Sequence, residues 1–210
     1  MRNLAGRMKS FWEKVHTRGA HLGLDGEVPS MRERYARLLK AIPLRGQAVI
    51  DFGCGGGLLG EFLFEKRGIS RYVAYDVAKR SIEHARARIA PWGDRAQLIL
   101  LEKHRWDFAA QKPDVLVCLA CIMHFPSKTY LDNFLRTCDE SGAKYLVLEV
   151  RYDAATRFQQ DPYSSEKAAV KACFTNEPYV SALLPHYKPV LEDKDGSTRI
   201  IRYIRKEMTD

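Results

Sequence analysis

Residues 48–60, which read AVIDFGCGGGLLG, join a short apolar run to an acid and then to five glycines. The opening apolar residues suit a parallel strand that is covered on both faces. The glycines let the backbone turn at positive φ and come close to a ligand. Leu58, Leu59 and Phe62 then recur at helical spacing. The stretch therefore predicts a buried strand, a tight turn and the start of a helix, whose unpaired N–H groups face the space beside the glycines.

Two classes of ligand compete for such a turn. Gly55, Gly57 and Gly60 match the G-x-G-x-x-G pattern of dinucleotide sites. Asp51 favours a different ligand, because a carboxylate at the end of the strand repels a pyrophosphate and attracts a cation. S-adenosylmethionine (SAM) carries an ammonium and a sulfonium, so the acid suits it.

The stretch 51–57 resembles motif I of the class I SAM-dependent methyltransferases, in which an acid is followed after one residue by G-x-G-x-G. In this chain the acid is Asp51 and the glycines are Gly53, Gly55 and Gly57. The alternative is an ordinary glycine-rich turn between a strand and a helix.

A second motif, RYVAYD at 71–76, predicts a strand that ends in an acid. Asp76 lies 23 positions beyond Gly53, close to the ~20-residue distance at which Rossmann-like folds place a carboxylate on a ribose. An ionised carboxylate accepts two hydroxyl hydrogen bonds at once, and such charge-assisted bonds are strong. The motif resembles motif II of the same family. The alternative is that Asp76 caps the helix predicted over 79–90.

The resemblance implies SAM as cofactor and S-adenosylhomocysteine (SAH) as product, with no metal. The residues that it places at the cofactor are Asp51, Gly53, Cys54, Gly55, Gly57, Asp76, Val77, Glu102, Lys103 and Leu119. Glu102 and Lys103 follow the third predicted strand, 97–101, where the family carries an acid for the adenine amino group. Asp107 is the alternative for that role.

The run 114–123, DVLVCLACIM, resembles motif IV, whose end faces the transferable methyl group, and His124 follows it. An imidazole titrates near neutral pH, so His124 is the candidate catalytic base. A structural histidine is the alternative. The chain has no Asn-Pro-Pro-Tyr at this place, which disfavours methylation of base amino groups. Glu149 stands where a 2′-O-methyltransferase of RNA would carry a lysine, so the sequence disfavours that class of enzyme.

The fold that the resemblance implies is α/β: a Rossmann-like three-layer α/β/α sandwich with a mostly parallel seven-stranded sheet. Two final runs, 189–192 and 199–204, flank a turn and predict an antiparallel hairpin. We expect a helical cap or lid over 1–45 and one SAM-binding methyltransferase domain over 46–210. The irregular segment 151–187 is where we expect acceptor specificity.

The composition is that of a globular protein. The 210 residues are 46% hydrophobic, which fits a globular domain with a sizeable core. The sequence shows neither a signal peptide nor an apolar run of the ~20 residues that span a bilayer, so we expect a cytoplasmic protein. Cys118 and Cys121 form one C-x-x-C, but it lies inside an apolar run where a reduced thiol behaves as a small hydrophobe. The five cysteines therefore favour neither zinc nor disulfides.

Charge is concentrated at the N-terminus. Residues 1–45 carry ten Lys and Arg against four Asp and Glu, which supplies +6 of the net charge of +8. Three functions are compatible with this sequence. The first is a methyltransferase acting at O or N of a small molecule, and the second is a nucleic-acid methyltransferase that uses the basic N-terminal face. The third is a SAM-binding protein without catalysis.

Overall fold

The computed structural model describes residues 4–17, 28–102, 106–169 and 171–207. The strands are β1 Ala48–Phe52, β2 Arg71–Asp76, β3 Ala96–Leu100, β4 Val115–Cys118, β5 Tyr145–Arg151, β6 Arg157–Phe158, β7 Cys173–Phe174, β8 Tyr187–Asp195 and β9 Thr198–Arg205. The helices are α1 Leu4–Thr17, α2 Val28–Leu38, α3 Leu58–Phe62, α4 Lys79–Ile89, α5 Lys128–Glu140, α6 Glu166–Ala169 and α7 Glu177–Ala182. A π-helical turn, Leu63–Arg67, continues α3.

Seven strands form one sheet in the order β3-β2-β1-β4-β5-β9-β8, and β6 pairs with β7 in a separate two-stranded sheet. The pairs β1·β2, β2·β3 and β4·β5 are parallel, whereas β9 is antiparallel to both β5 and β8. The predicted fold class, including the C-terminal hairpin, is confirmed. No helix in the described ranges is both long and apolar enough to span a membrane.

The chain divides into two compact units, residues 9–105 and residues 1–8 with 106–210. The division into a cap over 1–45 and a domain over 46–210 stays a prediction. The unit of residues 106–210 has an aromatic core in which Phe125, Tyr130 and Phe134 meet edge to face, with ring centroids 4.8 and 5.1 Å from that of Phe125. Ser127 begins α5 by accepting a hydrogen bond from Tyr130 N.

In the unit of residues 9–105, two glycines of the opening stretch are required by packing. A Cβ at Gly57 would lie 3.0 Å from Cα and Cβ of Ala85 on α4. A Cβ at Gly60 would lie 2.6 Å from Cε1 and Cζ of Tyr72, whose ring is fully buried. The final glycine of the apparent G-x-G-x-x-G pattern therefore lets α3 pack against β2.

Gly60→Ala tests this packing. Because the buried ring of Tyr72 has no space to move into, we expect a loss of about 1–3 kcal/mol in the free energy of unfolding. Urea denaturation of the full chain measures it. The same substitution in a Tyr72→Leu background should cost much less, since leucine lacks the clashing ring atoms. An equal loss in both backgrounds would show that the ring is not the obstacle.

Candidate cofactor and catalytic residues

The loop after β1 is built from left-handed glycines. Gly53, Gly55 and Gly57 have φ values of 83°, 52° and 78°, which a side chain would disfavour. The amides of Gly53 and Cys54 both donate to Tyr75 O, at 2.8 and 3.1 Å. The loop is thereby fixed against the end of β2.

Asp76, the last residue of β2, holds the same loop with its side chain. Its Oδ2 accepts from Gly55 N at 2.9 Å, and its Oδ1 accepts from Ala78 N at 2.8 Å. Burial raises the pKa of Asp76, while these backbone bonds and the nearby His16 oppose the rise. A carboxylate has about four acceptor positions, so both bonds leave capacity for ribose hydroxyls. Val77 lies between Asp76 and the amide of Ala78, at the start of the turn into α4.

Asp51 is buried near the end of β1, and its Oδ2 accepts a hydrogen bond from Tyr72 Oη at 2.6 Å. The pKa of Asp51 is raised to about 7, mainly by burial. The Tyr72 hydrogen bond opposes this rise, and the charge of Asp76 adds to it. The sequence did not reveal Tyr72 as a partner, since a tyrosine in a buried strand is also typical of plain core packing.

Two residues of α1 belong to the surroundings of Asp76. Glu13 Oε2 accepts from Lys79 N, the first residue of α4, at 2.7 Å. His16 is buried, stacks on Trp12 with ring centroids 5.6 Å apart, and lies near enough to lower the pKa of Asp76. Neither residue was predicted as part of the site.

Glu102 and Asp107, the two candidates for binding the adenine amino group, lie in different environments. Glu102 is exposed just after β3, and the neighbouring Leu101 N donates to Asp76 O at 2.8 Å. Asp107, the alternative, accepts from Ala110 N at 2.9 Å and so caps a short 3-10 turn. Lys103 lies outside the described residues.

The segment after β4 carries Leu119 and His124. Leu119 is buried, and Ala120 has a φ of 50°, which is uncommon for a residue other than glycine. Ala120 N donates to Oε2 of the buried Glu149 at 2.8 Å. Glu149 therefore has a local role, which is to hold this strained backbone.

His124 ends a 3-10 turn and is half-buried. Its Nδ1 lies 3.0 Å from Ala169 O. A carbonyl oxygen only accepts, so Nδ1 carries the proton and the lone pair of the neutral ring is on Nε2. Tyr163 Oη donates to His124 O at 2.6 Å. Two contacts from the segment 151–187 thus fix both the ring and the backbone of His124.

The predicted residues fall into two groups, each within one unit. Residues 9–105 bring together Asp51, the 53–57 loop and Asp76, and residues 106–210 hold Leu119 and His124 near Glu149. In the described ranges, no group of three or more His, Cys, Asp or Glu side chains could hold a metal ion.

Comparison with known proteins agrees with this geometry. A family model described as a methyltransferase domain matches residues 49–142, which is less than half of the chain. Two solved structures share the fold over nearly the whole chain: an N-methyltransferase from Bradyrhizobium japonicum in complex with SAH, and a magnesium protoporphyrin IX methyltransferase from Synechocystis with bound SAH. The first has a TM-score of 0.70 at 16% identity, covering 96% of this chain and 99% of its own. The second has a TM-score of 0.69 at 15% identity, covering 94% and 98%.

This chain has the fold of the class I methyltransferases. The family resemblance inferred from residues 51–57 and 71–76 is confirmed. A ubiquinone biosynthesis O-methyltransferase from Vibrio vulnificus is 31% identical over 103 residues, covering 48% of this chain. The match spans only 41% of the length of that relative.

The pH dependence of stability tests the environment of Asp51. Its pKa is about 7 in the fold against 3.8 for the ordinary side chain, so the native state binds more protons than the unfolded state between these values. Stability attributable to Asp51 therefore falls as pH rises from about 4 to about 7 and is level above. Asp51→Asn keeps an acceptor for Tyr72 and removes this fall. We expect its stability relative to wild type to rise by on the order of 1–4 kcal/mol across that interval.

Thermal unfolding at several pH values measures the difference. Asp94→Asn is the matched control, because Asp94 is an exposed carboxylate in the same unit. Its curve should follow that of the wild type. Parallel curves for Asp51→Asn and the wild type would contradict the assignment.

Proposed function

We propose that this chain binds SAM at the 53–57 loop and transfers its methyl group to an oxygen or nitrogen of a small-molecule acceptor, leaving SAH. The observation that carries the proposal is the pairing of Asp76 with the glycine loop: one carboxylate holds Gly55 N and keeps acceptor positions for a ribose. The acid at Asp51 suits a cationic ligand better than a pyrophosphate. The named activities of the relatives, O- and N-methyl transfer, support this class of reaction.

The residues present fit the cofactor. Asp76 would accept from the ribose hydroxyls, and the backbone of Gly53, Cys54, Gly55 and Gly57 would line the approach of the ligand. Asp51 would provide negative charge for the ammonium, Glu102 would accept from the adenine amino group, and Val77 would supply apolar contact. Leu119 stays a prediction from the sequence. Lys103 remains a candidate by sequence only. The N-terminal segment 1–45 would act as a cap, since Glu13 and His16 already contact or approach the start of α4 and Asp76.

When bound, SAM supplies a methyl group on a sulfonium that is already a good leaving group, so positioning of the acceptor is the main requirement. Holding reacting groups in a near-attack arrangement removes about 7–11 kcal/mol of a barrier. A base is needed only for a hydroxyl or a protonated amine. His124 would accept that proton at Nε2, because Ala169 O holds the Nδ1 proton.

The basic N-terminal face gives less support to a nucleic-acid substrate than its charge suggests. Arg7 pairs with Asp161 at 2.5 Å, and Arg32 pairs with Glu61 and Glu65 at 2.6 and 2.7 Å. These cations are already neutralised by neighbours. We therefore favour a small-molecule acceptor, and a cytoplasmic location stays a prediction.

Transfer of labelled methyl from SAM into a fractionated cell extract tests the proposal. The expected product is small and resistant to nuclease. A nuclease-sensitive product would overturn the small-molecule acceptor in favour of nucleic acid. SAM binding without any labelled product would favour a non-catalytic SAM-binding protein.

Substitution of His124 tests its proposed role on the acceptor found by labelling. As a base, His124→Ala should lower kcat by roughly 10²–10⁴-fold, leave SAM affinity and melting temperature nearly unchanged, and abolish the acidic limb of the pH profile. His84→Ala, on α4, is the control and should keep wild-type turnover. A kcat within threefold of wild type for His124→Ala would end the catalytic role.

A further inference from the structure

Arg151, the last residue of β5, is a cation that has no anionic partner in the described part of the chain. Its Nη1 donates to Ser197 Oγ at 3.0 Å, and its Nε is buried without an acceptor in the described part of the chain. No carboxylate among those residues forms an ion pair with it. Buried donors nearly always have partners, so a half-buried guanidinium left this way indicates a ligand that supplies the acceptor.

The surroundings of Arg151 carry an excess of positive charge over aromatic faces. Arg151 and Arg157 both lie over the ring of Phe174, with Cζ 5.9 and 3.9 Å from its centroid. Arg157 is already paired with Asp153 at 2.7 Å. Arg151 therefore remains the cation that is open to a further anion at this ring.

The position of Arg151 connects it with the segment that carries His124. Glu149 and Arg151 are two residues apart on β5, so their side chains leave the same face of the strand. Glu149 binds Ala120 N, at the start of the loop that leads to His124. The backbone of Arg151 also contacts the segment 151–187, since Arg151 O accepts a hydrogen bond from Thr175 N at 2.9 Å.

The segment 151–187 contacts both Arg151 and His124. Arg151 Cζ lies 5.9 Å from the centroid of the Phe174 ring, and Tyr163 Oη donates to His124 O. Arg151 and the candidate base therefore lie in one unit and share this segment as a neighbour.

We propose that Arg151 binds an anionic group, a carboxylate or a phosphate, on the methyl acceptor. A guanidinium offers two parallel N–H donors that match either group in bidentate geometry. Because Nε is buried, a ligand oxygen reaches this donor only when the Arg151 side chain turns, and it would then supply the acceptor that Nε lacks. Phe174 then favours an acceptor with an aromatic body next to its anionic group. The assignment rests on the proposed function, since it gives the anion to the acceptor of that reaction.

Titration of the full chain with benzoate, phenyl phosphate and benzyl alcohol tests the assignment without turnover. The probes share an aromatic body and differ in the anion. Binding is followed by the Nε–H resonance of Arg151 in nitrogen-15 spectra, identified by its loss in Arg151→Gln. We expect at least one anion to bind and benzyl alcohol not to bind. Whichever of benzoate and phenyl phosphate binds more tightly indicates whether the acceptor carries a carboxylate or a phosphate.

Variants then locate the binding residue, with affinity followed by the shifts of neighbouring backbone amides. Arg151→Gln should weaken the tighter anion at least tenfold, and Arg151→Lys should weaken it less, because it keeps the charge and loses the bidentate edge. Arg157→Gln is the matched control: it lies on the same ring but already has Asp153, so its affinity should change less than threefold. Arg151→Lys also keeps the test decisive if Arg151→Gln does not fold.

Three results would overturn the assignment. They are no binding of either anion to the wild type, equal affinity in wild type and Arg151→Lys, or binding only to a short RNA in a manner that depends on Arg151. SAM is titrated into the same sample, so failures are distinguishable. SAM binding without anion binding rejects this inference alone, whereas anion binding without SAM binding rejects the proposed function and with it the assignment to an acceptor.

Discussion

The hydrogen bond between the Asp76 carboxylate and Gly55 N is the constraint on which the candidate cofactor loop depends. The loop has left-handed glycines and few side chains, so it has little packing of its own to fix its shape. The carboxylate and Tyr75 O, both at the end of β2, supply the missing contacts. Burial raises the pKa of Asp76, so the backbone N–H donors that offset this cost also keep the group suited to bind a ligand as a carboxylate.

The fold could be predicted because its signals are local. The strand–glycine–helix run, the acid that ends β2 and the C-terminal hairpin each lie within a few consecutive residues. The partners inside the site could not be predicted in the same way. Tyr72 is 21 positions from Asp51, and Glu13 is 66 positions from the Lys79 amide that it binds. The spacing of apolar residues along the sequence does not specify such pairings. They depend on the register between strands and on the position of α1.

The acceptor side illustrates the same limit more strongly. Residues 151–187 break into short elements without a clear period, so sequence alone indicated only that specificity resides there. In the structure, this segment supplies Ala169 O and Tyr163 Oη to His124 across 45 and 39 positions. It also places Phe174 beside Arg151. An irregular segment can thus be well determined by its contacts. Glu149 was noted in the sequence only because an RNA 2′-O-methyltransferase would carry a lysine there, and in the structure it holds the backbone at Ala120.

We propose that a glycine loop held by one carboxylate, with a second acid beside it, selects a cationic nucleoside, SAM, over a dinucleotide. Isothermal titration calorimetry of the purified chain with SAM, SAH and NAD tests this most directly. The account predicts saturable binding of SAM and SAH at a single site, with NAD binding at least tenfold more weakly, a difference of about 1.4 kcal/mol or more. Tighter binding of NAD than of SAM would contradict it.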